Sequence, residues 1–294
     1  MAVSLRSYRP ADAARVVELS RLTVARPEFQ VGNPVWTTIE ELESELDDWE
    51  PPPEETLLVA EDGRRIVAFG GVELPRNFRH AELFGPLVSA EARGHRLGTG
   101  LLEASVERAG EDGVEAVIGA IGTRNAAGRI LLERHDFRVR GRPQATFRLR
   151  PEDHRPLAEP PEGVVIRVAG EDDLPAALAL YHECFPHGRF PDAVWSENVA
   201  TGSVYTAEVD GEIVAVLNVD PHDRWIYHVG VTESERNRGV GSYLLSRSLE
   251  EYWHDHPGQP LGLDVDADNV PAIRLYRRQG FAPWLVLQTF ELEL

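Results

Sequence analysis

The chain contains no lysine, so all 30 of its basic residues are arginine. It therefore has no lysine side chain to be acylated, and a Walker-type phosphate loop, which ends in Gly-Lys-Ser/Thr, is excluded. Cysteine is almost absent as well. Cys184 stands alone, so no intrachain disulfide and no cysteine-rich zinc site can form, and stability must come from packing. No apolar run reaches the roughly 20 residues of a membrane-spanning helix. The opening Met1-Ala2-Val3-Ser4-Leu5-Arg6 carries neither an apolar core nor a cleavage site. The expectation is a cytoplasmic protein. Positive charge is also short, with 49 acidic residues leaving a formal net charge of −19. Such a surface repels nucleic-acid backbones and anionic lipids, so neither nucleic acid nor membrane is expected as a partner. No metal-ligand spacing is present and no metal is expected; His154, His254 and His256 read as solvated linker or helix-end residues.

What is present is a repeat. At 294 residues the chain is long for one core, since domains run to about 150 residues. Arg93-Gly94-His95-Arg96-Leu97-Gly98, followed by Leu101-Leu102, recurs as Arg236-Asn237-Arg238-Gly239-Val240-Gly241, followed by Leu244-Leu245. Asn125 with Phe137 recurs as Asn269 with Phe281, and Thr146-Phe147 as Thr289-Phe290. The openings match too, Leu5-Arg6 with Asp12 against Ile166-Arg167 with Asp173. The larger offset there places extra residues in the first copy, within the loop-rich stretch Pro27 to Pro53. Four prolines without apolar periodicity make 151–163 a semi-rigid linker. The expected domains are therefore 1–150 and 164–294. Each is an α/β domain with a mixed twisted sheet flanked by helices.

In the second copy the pattern predicts strands at Val164 to Val168, Val204 to Val209, Ile213 to Val219, Trp225 to Val231, Leu261 to Val265 and Val286 to Leu292. Helices are predicted at Leu174 to Cys184, near Ala193, from the arginine–glycine loop to Trp253, and at Val270 to Arg278. Asp210-Gly211 signals a hairpin turn. Strand, Arg-x-x-Gly-x-Gly, helix has a physical use. Glycines let the chain turn tightly, and free N–H groups at the helix start can face an anion such as a pyrophosphate.

The sequence of strand, Arg236 to Gly241, long helix, strand, Asn269, Tyr276 and Gly280-Phe281 resembles the GNAT superfamily of acyl-CoA-dependent N-acyltransferases. The stretch from Val265 to Arg278 is similar to mycothiol synthases, two-domain members that acetylate a cysteinyl amine. The resemblance covers both copies and implies a tandem N-acetyltransferase acting on a small-molecule amine, as a monomer or homodimer. It implies that Arg236, Asn237, Arg238, Gly239, Val240, Gly241 and Ser242 hold the pyrophosphate of acetyl-CoA. Val229 and Val231 would pair with its pantetheine arm, and Asn269 would belong to the same site. In the first copy the corresponding residues are Val88, Arg93, Gly94, Gly98 and Thr99, but Arg96 replaces a loop glycine.

The family places a tyrosine acid seven residues after the asparagine, which is Tyr276 here and Leu132 in the first copy. Some members use a strand glutamate as base eleven residues before the loop arginine; that position is Glu82 in the first copy and Trp225 in the second. His228 is the second copy's own candidate base, because a histidine titrates near neutrality. A structural histidine and deprotonation through water are the alternatives. Cys184 reads as a small buried hydrophobe. A non-catalytic acyl-CoA-binding protein, and catalysis by the first copy through Glu82, are the competing readings of function.

Overall fold

A computed structural model describes residues 3–294 apart from 48, 158, 187–189 and 222. Met1, Ala2, Asp48 and, in the predicted linker, Ala158 thus lie outside the described residues. The chain forms two compact units, one of Met1–Gln144 with Leu285–Leu294, the other of Ala145–Trp284. These cuts differ from the expected 1–150 and 164–294: the stretch read as a linker belongs to the second unit, and the last ten residues to the first.

The first unit runs β1 (Val3–Ser7), α1 (Ala13–Val24), α2 (Ile39–Leu46), α3 (Pro53–Thr56), β2 (Leu57–Asp62), β3 (Arg65–Glu73), β4 (His80–Val88), α4 (Leu97–Glu111), β5 (Ala116–Gly122) and α5 (Ala126–Arg134). Next come β6 (Arg138–Leu149), whose residues from Ala145 belong to the second unit, then β7 (Val164–Val168), α6 (Leu174–Cys184) and α7 (Asp192–Ala200). The second unit continues with β8 (Val204–Val209), β9 (Glu212–Asp220), β10 (Trp225–Val231), α8 (Val240–Asp255), β11 (Leu261–Asp266) and α9 (Val270–Arg278). Finally β12 (Ala282–Glu293) enters the first unit at Leu285. Strand order is β1-β2-β3-β4-β5-β12 in the first unit and β6-β11-β10-β9-β8-β7 in the second.

The pairs β1–β2, β2–β3, β3–β4, β5–β12, β7–β8, β8–β9 and β9–β10 are antiparallel, and β4 meets β5 and β10 meets β11 in parallel. In both places a helix crosses between neighbouring strands, as a parallel pair requires. The closing strand of each unit comes from the other copy of the repeat. Leu287 to Glu293 pair with β5 in antiparallel register, and Phe290 is buried among Val117, Ile121 and Phe137. Phe147 is buried in the same way among Leu263, Tyr276 and Phe281. Burying such a side chain contributes roughly 1.5–3 kcal/mol.

The openings of the copies share an ion triad. Arg6 donates to Asp12 at 2.7 Å and to Glu61 at 3.1 Å, and Arg167 donates to Asp173 at 2.5 Å and also to Glu208. In each case the arginine ties its strand to the turn before the first helix and to the neighbouring strand. The predicted hairpin is present, with Asp210 and Gly211 at φ 52° and 82°, the two positive values a tight two-residue turn demands. Among the described residues no helix is long and apolar enough to cross a membrane.

Candidate active site

The second unit opens a gap between β10 and β11. Their parallel ladder holds only Trp225↔Gly262 and Ile226↔Leu263, and beyond it the strands separate. The Thr232 N–H donates to Val214 O on β9. By strand alternation Val229 and Val231 therefore turn their backbone groups away from β9, toward the gap. Arg236 Nε donates to Val231 O at 3.0 Å, folding the loop back over the end of the strand.

Two left-handed residues shape that loop, Asn237 at φ 64° and Gly239 at φ 88°. Gly239 is the N-cap of α8, no side chain caps the helix, and its first turn holds no acidic residue. Tyr243 N–H bonds Gly239 O, so the amides of Val240, Gly241 and Ser242 precede the first intrahelical bond. A run of N–H groups on a left-handed turn at a helix N-terminus is suited to an anion. A Cβ on Gly241 would stand 2.9 Å from Val231 Cγ2, so a larger residue would push the helix start off the strand. Arg238 is held by Glu235 at 2.8 Å.

α9 is locked to this helix start. Leu275 Cδ1 lies 3.9 Å from where a Gly241 Cβ would be, and Gln279 Nε2 donates to Ser242 O at 3.1 Å. Asn269 caps α9 through Oδ1, accepting from Ala272 N–H at 3.2 Å. The sequence-predicted cofactor residue thus has a helix-capping role in this structure. Tyr276 packs between Phe147 and Phe281. It is 8% exposed, and desolvation pushes its pKa up to about 12, so the phenol stays protonated at neutral pH.

His228 sits among Tyr181, Phe185, Phe190, Trp195 and Tyr227, with ring centroids 4.8 to 6.4 Å away. Its Nδ1 is buried without a partner, and burial lowers its pKa to about 4. The ring is neutral at pH 7, yet it holds a proton far more weakly than a base matched to that pH. Trp225, at the family's glutamate position, lies directly over Gly262; a Cβ there would meet the indole at 2.0 Å. Cys184 rests on β10, its Sγ 3.5 Å from Val231 O, and burial raises its thiol pKa.

The first unit repeats the loop with the glycine in the other slot. Gly94 at φ 81° and Arg96 at φ 60° are its two left-handed residues, and Arg96 is the uncapped N-cap of α4. Arg96, which replaces a loop glycine, still adopts the left-handed conformation, at roughly 1–2 kcal/mol. Arg93 Nε donates to Val88 O at 3.3 Å, and Gly98 packs near Val88 and Leu131, matching Gly241 against Val231 and Leu275. The amide of Thr99 lies in the open first turn of α4. Glu82 ends the β4–β5 ladder and accepts from Asn33 Nδ2 at 3.2 Å. Leu132, at the position of Tyr276, is buried in the core.

The model of the acetyltransferase (GNAT) family matches residues 22–137 and 172–281. A mycothiol acetyltransferase of Streptomyces coelicolor is 31% identical over 251 residues, 76% of this chain and 75% of that protein. A mycothiol acetyltransferase of Pseudarthrobacter chlorophenolicus is 29% identical over 149 residues, and there the match spans about half of each chain, 44% of this one and 46% of the relative. The crystal structure of a GCN5-related N-acetyltransferase from Sphaerobacter thermophilus superimposes with a TM-score of 0.76 at 23% identity, over 99% of this chain and 95% of that one. A tandem GNAT protein from the clavulanic acid biosynthesis pathway gives 0.63 at 16% identity, over 99% and 98%. Both share the fold.

Proposed function

Because this chain belongs to the acetyltransferase (GNAT) family, we propose that it moves an acetyl group from acetyl-CoA to a primary amine of a small molecule, with the second copy as catalyst. The observation that carries this reading is the pairing of an open anion-binding loop with a protonated tyrosine on the helix locked against it. The amides of Val240 to Ser242 would take the pyrophosphate, and the gap-facing groups of Val229 and Val231 the pantetheine arm. The neutral amine attacks the thioester carbonyl carbon, and a tetrahedral oxyanion forms. As it collapses the carbon–sulfur bond breaks, the departing thiolate takes the Tyr276 proton, and the amide keeps the acetyl group.

The amine must lose a proton as well. The pKa of about 4 at His228 speaks against that ring as the acceptor, and solvent is the better sink. His228 and the rings around it then act as a wall of the acceptor side. The resemblance of Val265 to Arg278 to mycothiol synthases, together with relatives named mycothiol acetyltransferase, puts a cysteinyl amine at the head of the acceptor panel. The test combines coenzyme A release with a panel of amines and thermal shift with acetyl-CoA. Binding without release from any amine would favour a non-catalytic acyl-CoA-binding role.

A further inference from the structure

The gap between β4 and β5 in the first unit is crossed by the chain itself. Val31 bridges Ile121 in antiparallel fashion. Gly32 N–H donates to Ala120 O at 2.7 Å, and Gly122 N–H donates to Gln30 O at 2.8 Å. Thr123 N–H bonds Val286 O on β12, so by alternation Ala120 and Gly122 face the opposite edge of β5, the edge turned to β4. On the other wall Gly85 N–H donates to Asn33 O at 2.7 Å. Four residues, Gln30 to Asn33, thereby hold backbone groups of both strands where the ladder has ended at Glu82↔Ile118.

The neighbouring groups fix this segment in place. A Cβ on Gly32 would lie 2.7 Å from Ala120 Cβ, and one on Gly122 would lie 2.8 Å from Gln30 Cβ, so two glycines permit the close approach. Asn125 Nδ2 donates to Gln30 O at 3.0 Å, and Glu82 holds the Asn33 amide. Phe29, next in the chain, lies under the Arg93 guanidinium at 3.7 Å from the ring centroid. Pro86, the counterpart of Val229, has no N–H to offer the gap. Among the described residues of the second unit no segment crosses the β10–β11 gap in this way.

We infer that Gln30–Asn33 stands in the place of the pantetheine arm in the first copy, so the first cleft is closed by its own chain and one coenzyme binds per polypeptide. Glu82 then serves as a positioning residue for Asn33. The count of one rests on the reading of the second copy as a coenzyme site; the closed first cleft does not.

Titration calorimetry of coenzyme A into the full chain should give one site. Hydrogen exchange should show protected amides at Gly32, Gly85 and Gly122, with protection unchanged at saturating coenzyme A. Gly32→Val must push the segment off β5 and should expose a second, weaker site. Two sites in the parent, or loss of protection at these amides on adding coenzyme A, would overturn the inference. So would a Gly32→Val chain whose three amides exchange freely while it still binds one equivalent. Should that variant fail to fold, exchange in the parent decides alone. A parent that binds no coenzyme A while all three amides stay protected would sink the second-copy reading and leave the closed cleft standing.

Discussion

The loops after β4 and β10 need the same two left-handed residues, and they divide their glycines differently. The first uses Gly94 and Arg96, the second Asn237 and Gly239. Both leave a helix start without a side-chain cap, so the loop alone does not separate the copies. The difference lies in the gap beside it. One gap is bridged by Gln30 to Asn33 and lacks a proton donor at Leu132. The other has Tyr276 at that position and no crossing segment among the described residues. The glutamate that looks catalytic in the first copy holds the bridging segment, while its counterpart Trp225 packs on Gly262. A duplicated scaffold can thus keep a loop built from backbone in both copies, while the tyrosine stands in one copy alone and the strand glutamate in the other.

The comparison breaks most readily at Tyr276. Tyr276→Phe should lower turnover by about 10²-fold or more if proton donation contributes as general acids do, with acetyl-CoA affinity within a few-fold of the parent. Steady-state thiol release measures it. Full turnover in Tyr276→Phe together with its loss in Glu82→Gln would place catalysis in the first copy.

A second test uses pH. The unfolded His228 ring titrates near 6.5 and the folded one near 4, so between these values the unfolded chain binds a proton the folded chain refuses. The stability is complete above pH 6.5 and falls as pH drops toward 4, by at most about 3 kcal/mol. Urea unfolding across that window should show the loss, and His228→Phe should flatten it; an unchanged slope would mean the ring is solvated.

The loop glycines give a smaller effect. Gly239→Ala sets a side chain at φ 88° with Pro161 Cγ 3.4 Å from its Cβ, and should cost about 1–2 kcal/mol. Arg96→Gly relieves similar strain but loosens the unfolded chain, so its net change should stay within about 0.5 kcal/mol. Equal losses in chemical denaturation would contradict the division of roles. The smallest contrast concerns the ion triads. Asp12 is more buried than Asp173, with side-chain exposures of 9% and 15%, and Arg6 more than Arg167, at 23% and 41%. Asp12→Asn should cost about 1 kcal/mol and Asp173→Asn less than about 0.5, because water screens the second pair. Thermal unfolding of the two variants compares them directly.

Much of the second copy was legible in the sequence because its signals are local. Apolar alternation placed β8 and β10, Asp210-Gly211 placed the hairpin, and the interval from Asn269 to Tyr276 placed a tyrosine on the helix beside the loop. Asn237 was legible as a loop residue but not as a left-handed one, since asparagine signals that conformation less strongly than glycine. Gln30 to Asn33 carry no periodicity, and read only as part of an insertion; what they do depends on partners at Gly85, Ala120 and Gly122, far along the chain.

Residue order determined the repeat, its strands and helices, the two arginine–glycine loops and the asymmetric placing of Glu82 and Tyr276. Each follows from spacing within a few turns of chain. Only the tertiary structure decided which unit receives Thr146-Phe147 and which receives Thr289-Phe290. The two strands carry the same pattern, so local propensity cannot assign them to different cores. Long-range backbone pairing and the burial of Phe147 and Phe290 did, and the same kind of distant hydrogen bonding closed one cleft with the chain's own residues.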